Sequence, residues 1–263
     1  MQIGPRHEAR NAMTKGIFVA TPAYGGMCFM PYVQGLLELQ HACAEAGIGF
    51  EYFYVSGTAL LHEQRNVAVE RFLRTSDLSH MMFIDADVGF RGDDVIRMFE
   101  QQHEVTLGLY PAKQVNWAAV VNAARSDHTA PIDQITLSAA DYRTTAYADE
   151  GVRIKYDQVV EISGGGAGLM MIVRTVFQKM ETAYPNTKVE FPDNYRALVP
   201  DAKSLHEHFE FLRDPAGRSL SEDLSFCKKW RMCGGRIYAC TWFKTVHAGV
   251  YFFQGDLPAI LSQ

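Results

Sequence analysis

The sequence predicts an α/β fold: a mostly parallel central sheet flanked by helices, in a single domain. Three observations carry that expectation. Short apolar runs alternate with segments of helical periodicity, the pattern that builds βαβ units with right-handed crossovers. The run Met81–Ile84 is apolar at every position, as in a strand buried on both faces. The 263 residues are 48% hydrophobic and contain no internal repeat or low-complexity linker, enough to bury one full core.

In chain order, residues 1–14 read as a flexible polar lead-in without a signal-peptide core, and 15–263 as the domain. Gly16–Ala20 reads as the first strand, and Thr21–Gly26 as the loop after it. Pro31 suits a first helical turn. Val33, Leu36, Leu37 and Leu39 predict that helix's apolar face, and Gly47 its stop. Phe50–Val55 is a second strand. A helix from Ala59 to Arg74 carries Leu61, Ala68 and Phe72 on one stripe, and Arg65 shares the stripe. An inward arginine needs a partner, which an acidic site or a diphosphate would supply. A snorkelling side chain at the edge of the face is the structural alternative.

The third strand ends in Asp85-Ala86-Asp87-Val88-Gly89. Ligands of open α/β sheets bind just past the carboxyl ends of strands. Alternation puts Asp85 and Asp87 on one side. There, two hard oxygen donors suit Mg²⁺ or Mn²⁺ shared with substrate phosphates. Plain loop capping is the competing reading. Gly92-Asp93-Asp94 caps a helix that carries Val95, Ile96 and Phe99. Val105–Tyr110 is a fourth strand, with Lys113 beyond its end, where it could neutralise phosphate.

Ser126–Tyr156 is mixed and polar, and its pattern does not place its elements. Val159–Ile162 and Leu169–Val173 read as strands on either side of Ser163-Gly164-Gly165-Gly166-Ala167-Gly168. Glycines there let backbone approach a ligand closely. A strand rather than a helix follows, and no Gly-Lys-Ser/Thr is present, so neither a dinucleotide fingerprint nor a P-loop is formed. Thr175–Ala183 is a helix. Asp193–Asp214 reads as a long loop or lid; its His206 and His208 have no matching pair to complete a zinc site. Leu224–Met232 is a helix stopped by Gly234-Gly235, with Ser219 and Glu222 at capping-box spacing. Glu222 and Asp223 either serve the helix dipole or supply a general base. Arg236–Cys240 is a last strand, and His247 after it is a candidate metal ligand.

A net charge of −5 and a pI near 6.0 argue against a nucleic-acid-binding surface. No apolar run is long enough to span a membrane. The five cysteines include no CxxC pair, which points to reduced thiols and a cytoplasmic setting.

The order of these signals resembles the GT-A class of nucleotide-sugar glycosyltransferases, most of all the small bacterial and viral members of the inverting family-two-like group. The similarity runs from about Gly16 to Gly255. It is carried by Arg65-Asn66, Phe83–Phe90 (FIDADVGF), Ser221–Arg231 (SEDLSFCKKWR) and His247-Ala248-Gly249. The resemblance implies a Rossmann-like GT-A sheet. The implied activity is transfer of a sugar from a UDP-, GDP- or dTDP-sugar, UDP favoured, to a hydroxyl of a saccharide or glycolipid acceptor. It implies Mn²⁺ or Mg²⁺ on Asp87 and Asp85, with His247 completing the shell. Thr21, Pro22, Tyr24 and Ala86 would line the nucleoside side, with Lys113 on phosphate and Arg65 bracing the donor and Asp85. Gly165 and Gly166 would floor the acceptor, and the aromatic-rich stretch around His208 would stack on it. Asp223 would be the base and Glu222 an acceptor contact, the base assignment between the two staying open. A lipid-linked acceptor would bring the protein to the inner face of a membrane. The alternatives are a retaining GT-A enzyme, a haloacid-dehalogenase-like phosphohydrolase, and a nucleotide-sugar binder without turnover. The phosphohydrolase class expects Thr or Val where this chain has Gly89.

Overall fold

A computed structural model describes residues 13–142, 146–147 and 155–251. The predicted lead-in lies almost wholly outside them. The apolar runs form the expected strands. β1 spans Thr14–Pro22, longer at both ends than the run Gly16–Ala20, so Thr21 and Pro22 belong to the strand. α1 (Met30–Glu45) follows, then β2 (Gly49–Val55), α2 (Leu61–Thr75) and β3 (Leu78–Ile84). β4 (Val88–Gly89) and α3 (Gly92–Glu100) precede β5 (Val105–Gly108).

The stretch around residues 117–147 holds α4 (Trp117–Ser126), α5 (Ile132–Leu137) and β6 (Ala146–Tyr147). Asn116 caps α4 by accepting the Ala119 N–H at 3.1 Å. The second half contains β7 (Val159–Ile162), β8 (Gly164–Gly165), β9 (Leu169–Val173) and α6 (Arg174–Ala183). β10 (Lys188–Glu190), β11 (Ser204–His206), α7 (Glu222–Met232), β12 (Ile237–Cys240) and β13 (Val246–His247) complete it.

Seven strands form one sheet in the order β2-β1-β3-β9-β5-β12-β7. β1 is parallel to β2 and β3, and β5 to β12. β9 runs antiparallel between β3 and β5, and β7 antiparallel along β12. Most strands therefore share one direction, with two reversed.

Side-chain alternation splits β3 between two cores. Met81 and Phe83 pack with Phe72, Phe177 and Phe226 on the side of α2, α6 and α7. Met82 and Ile84 pack with Tyr32, Leu39, Val95 and Phe99 on the side of α1 and α3. The apolar Met81–Ile84 run is thus explained by burial on both faces.

Two local readings change. In α1 the buried positions are Tyr32, Gly35, Leu39 and Cys43, and Leu37 faces solvent. Gly35 sets this rotation: a Cβ there would sit 2.6 Å from the Phe90 carbonyl, so the helix axis rides close to that backbone. The stretch 193–214 is a packed wall rather than an open lid. β11 pairs with β10, and Tyr195, Val199, Leu205 and Phe209 enter the core. Asn66 pins it as a strand would: its amide nitrogen donates to the Phe209 carbonyl at 3.1 Å, and its oxygen accepts the Phe209 N–H at 2.9 Å. Among the described residues, no helix is long and apolar enough to cross a membrane.

A candidate active site at the sheet edge

β3 delivers its carboxylates at the end where the sheet stops. Asp85 and Asp87 lie in the turn between β3 and β4, and the Asp85 N–H donates to the Gly168 carbonyl at 3.0 Å. They open onto a cleft of about 400 Å³ whose walls include Pro22, Tyr24, Phe29, Thr58 and Gln64, with Ala86 between the two acids. Tyr24 is 71% exposed, a ring free to stack.

The two acids have different partners. Asp85 faces inward. The Arg65 guanidinium, 1% exposed on α2, donates from Nη2 to Asp85 Oδ1 at 3.0 Å and from Nη1 to the Ala167 carbonyl at 3.4 Å. Its Nε lies 3.6 Å from Glu222 Oε1 and has no hydrogen-bond partner. Burial alone would lower the Arg65 pKa, but Asp85, Glu222 and Asp223 outweigh it and push the pKa up.

Asp87 faces the exchangeable side. Lys113 pairs with its Oδ2, and His247 Nε2 lies 3.4 Å from its Oδ1. Burial works to raise the Asp87 pKa, but the bonds to His247 and Lys113 prevail and hold it below the usual carboxylate range. β13 pairs with β4 to bring His247 here. His247 Nδ1 lies 2.8 Å from the Pro111 carbonyl, which can only accept. That contact fixes the imidazole plane with Nε2 toward Asp87.

α7 brings the third group. Its first residues are Glu222 and Asp223. Ser221, not Ser219, precedes the helix, and the Ser219–Glu222 capping box does not form. Ser221 Oγ donates to Asp223 Oδ1, which also accepts the Leu224 N–H at 2.7 Å. Oδ2 points toward Gly166, 3.6 Å from where a Cβ would stand. Gly168 is required by space: a Cβ there would lie 2.7 Å from the Tyr110 hydroxyl and 2.8 Å from Asp85 Oδ2. Tyr110 is buried, and desolvation followed by the Asp85 charge raises its pKa, so it stays a neutral hydroxyl that accepts the Gly168 N–H at 3.1 Å. It also stacks edge-on against His247 at 5.2 Å.

The expected residues divide accordingly. Pro22, Tyr24, Asp85, Ala86 and Asp87 share the cleft, and Lys113 and His247 gather on Asp87. Arg65 and Glu222 stand behind Asp85, and Asp223 meets the glycine run at Gly166. Gly165 is buried, its carbonyl 3.8 Å from the Cys227 thiol. Two expected residues are elsewhere. Thr21 is buried, with Oγ1 2.6 Å from the Tyr32 hydroxyl, and does not line the cleft. His208 is 3% exposed, 3.5 Å from Glu181 and edge-on to Phe177, with no face for an acceptor. Sequence reasoning singles out neither Tyr110 nor Gln64, and it names Gly168 only as part of the glycine run. Tyr110 stood at a strand end and Gln64 beside the inward Arg65, the only signals available.

Among the described residues, no three His, Cys, Asp or Glu side chains close into a ready metal cluster. The expected set of Asp85, Asp87 and His247 is therefore not pre-assembled, because Asp85 is turned to Arg65. The donors still fit a hard cation in part. Asp85, Asp87, Glu222 and Asp223 outnumber Arg65 and Lys113, and Asp87 with His247 offers one oxygen and one nitrogen. Mg²⁺-like ions commonly take one or two carboxylates and complete their shell with substrate phosphates.

Fold and site define an α/β protein with a cleft lined by two carboxylates at the carboxyl edge of its sheet. No protein-family model and no curated protein matches the chain. Several solved structures overlap with it. The structure of A197 from STIV is 18% identical, covering 89% of this chain and 86% of that one, with a TM-score of 0.48. A mutant Drosophila beta1,4-galactosyltransferase 7, in complex with manganese, UDP-Gal and xylobiose, is 10% identical over 95% and 80%, with a TM-score of 0.42. A UDP-glucose pyrophosphorylase from Acinetobacter baumannii is 8% identical over 89% and 88%, with a TM-score of 0.41. Overlap this distant spans different chemistries and carries no argument about activity.

Proposed function

We propose that this protein is a metal-dependent GT-A glycosyltransferase. It would move a sugar from a nucleoside-diphosphate sugar, UDP favoured, to a hydroxyl of a saccharide or glycolipid. The observation that carries the reading is that Asp85 and Asp87 line one cleft, His247 stands 3.4 Å from Asp87, and Asp85 and Asp223 face the same glycine run at Gly168 and Gly166.

Each residue then has a task. Tyr24 and Pro22 hold the nucleoside. Asp87 and His247 would hold Mn²⁺ or Mg²⁺ together with the donor diphosphate. When bound, the cation would supply Lewis-acid neutralisation of the leaving diphosphate. Lys113, released from Asp87, turns its ammonium to the same phosphates. Arg65 holds Asp85 in place through Oδ1, with Oδ2 against Gly168. Asp223 Oδ2 accepts the proton of the acceptor hydroxyl, and Ser221 and the Leu224 N–H fix the carboxylate plane through Oδ1. One base and direct displacement invert the anomeric centre. The phosphohydrolase alternative needs an open Asp85 nucleophile, and the Arg65 bond at 3.0 Å argues against it.

A thermal-shift screen of nucleotide sugars with and without Mn²⁺ tests the reading. A donor at 100 times its Kd stabilises the fold by about 2.7 kcal/mol. One class of nucleotide sugar should stand out, and only with the cation present. Equal melting temperatures across the whole panel would overturn the proposal.

A further inference from the structure

The wall of the cleft has two chemistries. Asp85 and Asp87 are its charged members, engaged by Arg65, Lys113 and His247. The other described wall residues carry no charge, and Thr58 and Gln64 are the polar ones beside the Tyr24 ring. Gln64 lies near the start of α2 and is 2% exposed, and the surface it keeps borders this cleft.

The Gln64 amide is held in one orientation. Its Nε2 donates to the Thr58 carbonyl at 2.6 Å. A carbonyl can only accept, so the amide nitrogen and oxygen cannot exchange places. Thr58 is fixed in turn. Its Oγ1 accepts the Leu60 N–H at 3.1 Å, and the Leu60 carbonyl accepts the Gln64 N–H at 3.2 Å. Among the described residues, Gln64 Oε1 has no hydrogen-bond partner. It is not sealed off either: the enclosed side-chain atoms without a partner are Arg65 Nε and the Tyr195 hydroxyl. Oε1 is thus a fixed acceptor that Gln64 offers to the cleft.

An oxygen that only accepts repels the oxygens of a diphosphate, so it does not serve that part of a nucleotide. It asks for an N–H or O–H donor, while Tyr24, Phe29 and Leu61 beside it suit a planar ring. Uracil meets both demands, with N3–H on its edge between two carbonyls. Cytosine places a lone pair at the same ring atom, where it would face Oε1.

We propose that Gln64 is the specificity residue for the donor base, accepting a ring N–H on Oε1, and that it takes uracil over cytosine. The inference rests on the reading of this cleft as the nucleotide site.

Titration calorimetry on the full chain, without divalent cation, tests it with UMP, CMP and N3-methyl-UMP as probes. UMP should bind roughly tenfold tighter than either of the others. The methylated probe removes the N–H and leaves the protein untouched, so it tests the bond on the wild-type chain. Gln64→Met, close in volume and without the amide, should lower UMP to the affinity of the other two. Equal binding of the three probes to the wild type overturns the proposal, as does a UMP preference that survives in Gln64→Met. If none of the three binds, the proposal falls together with the nucleotide reading of the cleft. A UMP preference in a protein that no nucleotide sugar stabilises with Mn²⁺ upholds base selection by Gln64 and removes the glycosyltransferase reading instead.

Discussion

Asp85 and Asp87 are two residues apart and lead different lives. Asp85 is bound to Arg65, a cation that is buried, permanently charged and shared with Glu222. Asp87 keeps 28% of its side chain exposed and is satisfied by Lys113 and His247, groups that can move or change charge. The lesson concerns which charges a fold can give up. A buried arginine cannot leave without stranding its carboxylates, so that half is scaffold. A lysine on a half-exposed carboxylate can be exchanged for another cation at small cost, so that half is the working side.

The contrast can be broken first at Arg65. Arg65→Met should cost about 3–5 kcal/mol of folding stability, because Asp85 and Glu222 would remain partly buried and unpaired. Urea denaturation reads this directly, and a loss under 1 kcal/mol would remove Arg65 from the scaffold. Asp87→Asn should behave oppositely. Its folding cost should stay near 1 kcal/mol or below, while the Mn²⁺-dependent stabilisation by nucleotide sugar, about 2.7 kcal/mol at 100 times Kd, disappears. Lys113→Met removes the resident cation from Asp87. It should tighten Mn²⁺ binding by roughly three- to tenfold, read from the free-ion signal in electron paramagnetic resonance. Unchanged affinity would mean that Lys113 does not compete.

The smallest effect is in pH. The Asp87 pKa is depressed in the folded state, so the unfolded chain binds the proton more readily. The stability from its pairs is complete above the unfolded carboxylate pKa of about 4. It is lost as pH falls through the lower folded value. Asp87→Asn should flatten the stability curve in that acid window by lowering its neutral plateau, with variant and wild type converging at the acid end.

What the sequence made legible follows the same division. Backbone elements announced by continuous apolar runs, β1, β3 and β9, were readable, because burial on both faces leaves no polar position to mislead. Arg65 was readable for the same reason, as the one charge on an apolar stripe. Misreadings came where a distant partner satisfied a polar residue. The stretch 193–214 looked like a lid because its polar groups are answered from elsewhere, by the Asn66 amide and by Glu181 on α6. Leu37 looked inward until Gly35 let α1 roll onto Phe90. Thr21 looked like a ligand contact because nothing local shows that Tyr32 covers it. Tyr110 and Gly168 gained their places only when β9 inserted between β3 and β5, a pairing no local pattern encodes.

The central claim is that Asp223 takes the proton of an acceptor hydroxyl beside a donor held through Asp87. The direct measurement pairs sugar transfer with donor binding in Asp223→Asn, using the nucleotide sugar that the thermal screen selects. The account predicts transfer reduced by about 10²- to 10⁴-fold with Mn²⁺-dependent donor binding unchanged. Transfer persisting at the wild-type rate, with the donor still bound, would contradict it.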